Sequence, residues 1–445
     1  MFTIISYSVQ IKDSLHCLSE TVKLYRSAVR YLVDIAFLHH EEMENLSSLH
    51  TVNYMESLIH TTSHNVAKYP KFDREFYKFP SYLRRAAITT AISKVFSYLS
   101  LVRNWENGGC KGKRPHMNFN QDIMPCFYHS NMFKKKDGCF MIKVYYKRDW
   151  IWMPITLRKT DLEYIHKHCA GLKEHAPVLK KRHGGYSLCF GYDYRSEKCF
   201  IKDEDVSTVI GVDLGLNSDA VCSVVHRDGT VAGCKFIDHP VEKDRLYTLL
   251  NKIRKCQSHG SRHMNRLWAY VNNYSTAIVK DTARRIVEYA VAQEAQVIVF
   301  ENLSGIKPKK GSNEAQKMTL WRKRDIQHRV GEMAARYGIR VSYICARNTS
   351  RLAFDGSGEV KRGKECGYHT NAVCEFQNGK IYNADLSASK NIAARYFTRV
   401  ITKTLSVSER LSCSAKVPEL DTRTKHTLST LISLIAVRTS ICCAN

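Results

Sequence analysis

Three acids sit where a carboxylate can do metal chemistry. Asp213 follows the run Val209-Ile210-Gly211-Val212 and precedes Leu214-Gly215-Leu216-Asn217. Glu301 closes the run from Gln296 to Phe300, and Asn302-Leu303 follow it. Asp385 falls in the first turn of an Ala-rich stretch from Asn383 to Arg395. Each acid alone has an ordinary explanation. An Asp after a strand is commonly a turn residue, and one at a helix start caps the dipole. Glu301 resists that reading, because an acid closing a run of Val, Ile and Phe is costly to bury unpaired. Together they suit a pair of Mg²⁺ ions. Hard divalent cations take oxygen ligands, and two of them can stabilise the attacking and leaving oxygens of a phosphodiester displacement.

The elements that must position these acids are legible. The β-branched run ending at Asp213 reads as a buried strand. Gly215 and Asn217 suit a tight reversal into a second strand, Ala220 to His226. Asp228-Gly229 signals a hairpin, and Thr230 to Ile237 makes the third strand. Helical stretches begin at Pro240 and run through Ile278 to Val291. They carry a basic cluster of Lys252, Arg254, Lys255, Arg262, His263 and Arg266. The strand with Glu301 comes next, then a loop with Lys307 to Lys310, a helix from Trp321 to Tyr337 and a strand from Arg340 to Ile344. The helix with Asp385 follows. This order predicts an α/β fold with an RNase H-like nuclease core over residues 206–346, completed by a last helix at 383–404. The expected sheet is five-stranded and mixed.

The totals point to a polyanionic partner. The chain has 445 residues and a net charge of +26, from 68 Lys and Arg against 42 Asp and Glu. Such an excess adds nothing to the fold but favours nucleic acid through counterion release. The 16 Cys form no CxxC pair, and they read as reduced thiols of a cytoplasmic protein. Met1 to Ile11 alternates where a secretory leader would be apolar, and no stretch reads as a membrane span. Ile5, Tyr7, Val9 and Ile11 predict a half-buried strand over 1–12. Leu15 to Leu32 and Leu83 to Val102 carry helical stripes, which predict a helical domain over 13–106. Residues 107–205 read as strands. Together these suggest a small β-barrel interrupted by a helical insertion. Arg84 and Arg85 on the helices, and Lys134, Lys135, Lys136, Lys180, Lys181 and Arg182 on the barrel, are candidate nucleic-acid contacts, with Lys255 and Arg262 in the core. Tyr145, Tyr146, Trp150 and Trp152 interleave with that charge. Trp150 and Trp152 share a face and read as core.

Gly211-Val212-Asp213-Leu214-Gly215, Phe300-Glu301-Asn302-Leu303 and the stretch from Asn383 to Ala393 resemble the three split RuvC motifs of TnpB. Arg347-Asn348-Thr349-Ser350 resembles that family's run before its zinc knuckle. The resemblance is specific over about 206–400 and looser around Phe79 to Arg85 and Asn104 to Glu106. It implies a transposon-encoded RNA-guided DNA endonuclease, similar to compact type V CRISPR effectors. The barrel would be the wedge and the helices the recognition domain. Asp213, Glu301 and Asp385 would hold two Mg²⁺. The partners would be a guide RNA from the same element and double-stranded target DNA with a short flanking motif. The protein would be prokaryotic and cytoplasmic, nucleoid-associated when bound to DNA, and a monomer or homodimer. Two other readings stand beside this one, a non-cleaving RNA-guided repressor and an unguided transposase or resolvase. The chain departs from the family over 347–382, where two CxxC pairs are expected. Cys366, His369 and Cys374 remain as a weak zinc set that needs Cys345 or another distant group. The expectation is a lid without Zn²⁺ that folds by hairpin packing around Asn378-Gly379. Residues 405–445 read as an extra helix or a disordered tail.

Overall fold

The computed structural model describes residues 2–13, 16–110, 112–117, 119, 123–136, 139–182, 185–195, 201–215, 218–261, 263–303 and 322–442. Leu216, Asn217, Arg262, the loop with Lys307 to Lys310, and Trp321 lie outside them. The chain divides at Tyr194 into two compact units.

The N-terminal unit starts with β1 (Phe2–Gln10), whose alternation buries Ile5 and Val9. The helices α1 (His16–Leu38), α2 (Ser48–Ile59) and α3 (Ser81–Asn107) follow. The predicted stripes are buried at Leu18, Val22, Tyr25, Val29 and Leu32 on α1 and at Leu83, Ala87, Ala91 and Val95 on α3, while Leu99 and Val102 toward the end of α3 are half-buried and Leu15 lies outside the described residues. Ser47 caps α2 by accepting from the His50 amide. Next come β2 (Phe133–Lys136), β3 (Cys139–Tyr146), β4 (Asp149–Ile155), α4 (Lys159–Cys169), β5 (Val178–Arg182) and β6 (Gly185–Arg195). They form two three-stranded sheets, β1-β6-β5 and β2-β3-β4, so the first strand pairs with the last across the helical insertion. Helices and sheets share one apolar core, from Ile5 to Tyr192. The strand pattern expected over 107–205 is interrupted by α4. Its buried residues Ile165 and Cys169 are one turn apart, among charged and His residues that hide the period.

The C-terminal unit begins at Arg195, ahead of the boundary at 205/206 read from sequence. Asp203 ties this stretch to the unit, since it accepts from the Tyr396 hydroxyl at 2.9 Å and pairs with Arg340. Its elements are β7 (Thr208–Asp213), β8 (Ala220–His226), β9 (Val231–Ile237), α5 (Pro240–Ser258), α6 (Asn265–Ala292), β10 (Val297–Asn302), α7 (Lys323–Ala334) and β11 (Arg340–Cys345). Then come β12 (Lys361–Arg362), β13 (Val373–Glu375), β14 (Ile381–Asn383), α8 (Ala384–Thr404), α9 (Val407–Lys416) and α10 (Leu428–Cys442). The main sheet is five-stranded and mixed, in the order β11-β10-β7-β8-β9. The β7-β8-β9 meander is antiparallel, while β10 runs parallel to both β7 and β11.

Strand alternation sorts the two faces. Ile210, Val212, Ile298 and Phe300 pack with α6 and α7. Val209, Val297 and Val299 pack with α8 and with Leu428, Leu431 and Leu434 of α10. Within the described residues the tail, 405–442, therefore packs as part of this unit. Ser406 and Glu409 form a capping box for α9, and Cys413 and Leu420 are buried against the same core. Residues 347–382 fold around a β12-β13-β14 sheet, with Gly379 (φ +78°) in the turn and Cys374 and Phe376 in a small core.

Candidate active site

Asp213 is the last residue of β7, and Glu301 is next to last in β10. Val212 registers with Phe300, so the two acids stand side by side one step further along. Each is an even step from the residues facing α8, Val209 on one strand and Val299 on the other. Both carboxylates therefore point to the α8 face.

Gly211 decides how close that helix comes. A Cβ there would sit 2.2 Å from the Ser389 carbonyl oxygen. Only glycine lets α8 touch the strand. The Ser223 and Ser389 hydroxyls share a hydrogen bond of 2.5 Å at the same crossing. Asp385 is one helical turn before Ser389, on the same side of α8. A turn of helix and two strand residues cover similar lengths, about 5–7 Å. The crossing thus carries Asp385 toward Asp213. Asn383 caps the helix by accepting from the Leu386 amide at 2.9 Å, which fixes the first turn.

All three carboxyls sit above their ordinary range. For Asp213 the first cause is burial, then the charges of Glu301 and Asp385, with Arg362 acting the other way. Burial raises Glu301 against the Thr349 hydroxyl, Arg395 and Lys323. Burial raises Asp385 against Arg362, and Asp238 adds to the rise. A cluster of acids that repel one another in a partly dry place calls for a cation.

As the side chains stand, protein donors occupy two of the acids. Arg362 of β12 pairs with Asp385 at 3.3 Å, and the Thr349 hydroxyl donates to Glu301. Among the described residues, no three Cys, His, Asp or Glu side chains surround one point closely enough to hold an ion. The donor set still fits a hard divalent cation, being all carboxylate oxygen with raised proton affinity. The support behind Glu301 is also built. Asn391 donates to the Thr349 and Leu352 carbonyls at 3.0 and 2.8 Å and accepts from the Leu428 amide at 3.1 Å. Arg395 donates to the carbonyls of Cys345, Arg347, Thr424 and His426. One helix thus ties the segment after β11 and the tail to the site. Sequence reasoning quoted Thr349 only as part of a family run and missed Arg362, Asp238, Asn391 and Arg395 as neighbours of the acids. No spacing marks Arg362, which arrives through the β12-β13 pairing.

The other candidates are scattered. The Cys366 thiol turns to the carbonyls of Lys361 and Gly363, Cys374 is buried against the Tyr382 carbonyl, and His369 is exposed. The structure does not gather them. Arg84 is buried, and with Arg85 it is paired to Glu56, at 2.9 and 2.6 Å. The Lys134 ammonium lies 4.1 Å from the centre of the Trp152 ring, and Lys135 lies over Phe140. Lys181 lies over Tyr186, and Lys180 is half-buried. Of Lys136 and Arg182, side-chain placement is outside the described part. Lys255 is exposed near the end of α5. Trp150 is buried, with its ring against Phe79 and Tyr145.

The fold of the chain has a solved counterpart. The fold is similar to that of Cas12f1 in a cryo-EM structure of a Cas12f1-sgRNA-target DNA complex. The TM-score is 0.54 at 13% identity, over 85% of this chain and 81% of that one. In sequence, the chain is 28% identical over 214 residues to the TnpB-like protein aq_aa05 of Aquifex aeolicus (strain VF5). That match covers 43% of this chain and 69% of the relative. It is 27% identical over 262 residues to the CRISPR-associated endodeoxyribonuclease Cas12f1 of Syntrophomonas palmitatica, over 50% of this chain and 51% of that protein. The chain thus spans about half the length of that second relative. The Aq_aa04 family matches residues 3–146. The chain is a relative of the TnpB-like proteins and of the type V effectors.

Proposed function

We propose that this protein is an RNA-guided DNA endonuclease of the TnpB kind, with an RNase H-like core and a wedge barrel interrupted by a recognition domain. What supports the reading is that Asp213 and Glu301 lie at the ends of adjacent strands on the face that α8 crosses, with Asp385 in the first turn of that helix and each carboxyl raised by burial. These three residues would hold Mg²⁺. When bound, such ions supply charge stabilisation for the attacking and leaving oxygens of the phosphodiester. The chain's own contributions are positional. Gly211 sets the depth of α8, Asn383 fixes the turn bearing Asp385, and Thr349 orients Glu301. Arg362 holds a cation beside Asp385, where a phosphate oxygen can also be met. The likeness to a guide- and target-bound effector supports guide RNA and target DNA as partners, with pairing supplying the sequence specificity. Residue charge alone does not choose the wedge contacts. Lys134, Lys135 and Lys181 are the exposed candidates, and buried Arg84 is the weakest.

The test is to purify the protein from cells carrying its native flanking DNA and to sequence any RNA that comes with it. The complex is then assayed for Mg²⁺-dependent cutting of matched DNA. A discrete RNA and cutting abolished by Asp213→Ala support the reading. Binding without cutting moves the protein to the guided-repressor class. Strand transfer by RNA-free protein moves it to the transposase class.

A further inference from the structure

A cleft of about 860 Å³ opens in the C-terminal unit between the end of β11, α8 and the tail. It lies next to Glu301 in the chain, since Asn302 lines it, but none of the three acids does. Arg395, Arg399 and Lys403 reach it from α8 at intervals of four, on one stripe of the helix. The tail adds Arg410 from α9, Arg423 and His426. No Asp or Glu lines it.

Two of these cations have structural work. Arg395 is buried and donates to four carbonyls, and Arg399 donates to the Tyr343 carbonyl and the Ser342 hydroxyl at 3.0 and 2.8 Å. Lys403, Arg410 and Arg423 do not. All three are exposed, and no carboxylate of the described residues forms an ion pair with them. The apolar contacts of Cys413, Val417 and Leu420 explain why the tail folds back. They do not explain why it brings two arginines to a wall that already carries three cations. Like charges gathered without acids are repaid by an anion. Tyr343, 45% exposed, adds an aromatic ring to the same wall. Cations that follow a groove, with a ring beside them, are what a single strand needs for its phosphates and bases.

We propose that this cleft binds the phosphate backbone of single-stranded DNA and leads the strand past Asn302 to the carboxylates. The choice of DNA rests on the endonuclease reading. The cleft itself rests on the charge and the shape.

The test uses the full chain in EDTA, so that nothing is cut. A Lys403→Gln, Arg410→Gln, Arg423→Gln variant is compared with the parent by fluorescence anisotropy on a labelled oligodeoxynucleotide across a salt series. Thermal melts check that the exposed changes leave the fold intact. Losing three phosphate contacts should weaken binding by at least about tenfold and flatten the log–log salt slope by about 2. Unchanged affinity and slope in a variant that melts like the parent overturn the proposal. A loss seen with an RNA oligomer and not with DNA overturns the assignment of the strand. Cleavage is scored apart. Altered binding in a protein that never cuts keeps the cleft and drops the nuclease, while cutting with an unaltered slope does the reverse.

Discussion

Asp213→Asn should make the metal-free protein more stable. Asp213 and Glu301 stand side by side on adjacent parallel strands, which lie about 4.8 Å apart. Two full charges about 5 Å apart interact by roughly 3 kcal/mol at an effective dielectric near 20. The fold lowers that cost by holding protons on the acids, and Arg362 opposes part of it. The net relief from an isosteric amide is then about 1–3 kcal/mol. For a unit of this size that raises Tm by about 3–10 °C. The sign with pH follows from the raised carboxyls. The folded state binds more protons than the unfolded chain, so metal-free stability falls as pH rises through the folded values. The gap between variant and parent should be widest on the alkaline side and close toward the ordinary carboxylate range near pH 4. Mg²⁺ at about 100 times its Kd should add about 2.7 kcal/mol to the parent and little to the variant. Calorimetry in EDTA and in Mg²⁺ over a pH series reads all of this. A variant that melts below its parent in EDTA, or equal stabilisation of both by Mg²⁺, refutes the shared-charge reasoning.

The remaining predictions concern the neighbours. If the proposed mechanism holds, cleavage requires the three acids ionised, so the acidic limb of its pH–rate profile should lie above the usual carboxylate range. Arg362→Gln should push that limb higher, and an unmoved limb would show that the ion pair does not govern Asp385. Gly211→Ala drives a methyl into the backbone of α8. It should cost about 3 kcal/mol or more in denaturant melts, and a near-neutral result would mean that the helix can retreat. Arg84→Ala should cost roughly 1.5–3 kcal/mol by breaking the buried pair with Glu56, while leaving the salt slope of nucleic-acid binding unchanged. A flattened slope would place Arg84 at the nucleic acid.

Sequence alone marked the five strands of the main sheet along the chain and the acids near the ends of two of them. It could do so because a buried strand is a continuous β-branched run, and a carboxylate ending such a run is visible in one dimension. Asp213 and Glu301 stood out for that reason and Asp385 as an acid in the first turn of an Ala-rich stretch, while the turns at Gly229 and Gly379 were marked by Asp-Gly and Asn-Gly. The stripes of α1 and α3 were legible because packing one face leaves a helical period. What the structure decided is of another kind. Arg362 meets Asp385 because β12 pairs with β13, and Arg84 turns inward because Glu56 waits on α2. Gly211 reads in the sequence as one more strand residue, yet the approach of Ser389 is what requires it. The tail reads in the sequence as one extra helix or as disorder, and its two helices are settled by apolar residues that pack into the core shared by α8, β7 and β10. Contacts between residues far apart in the chain leave no period and no local signature. They become visible only when packing brings the elements together.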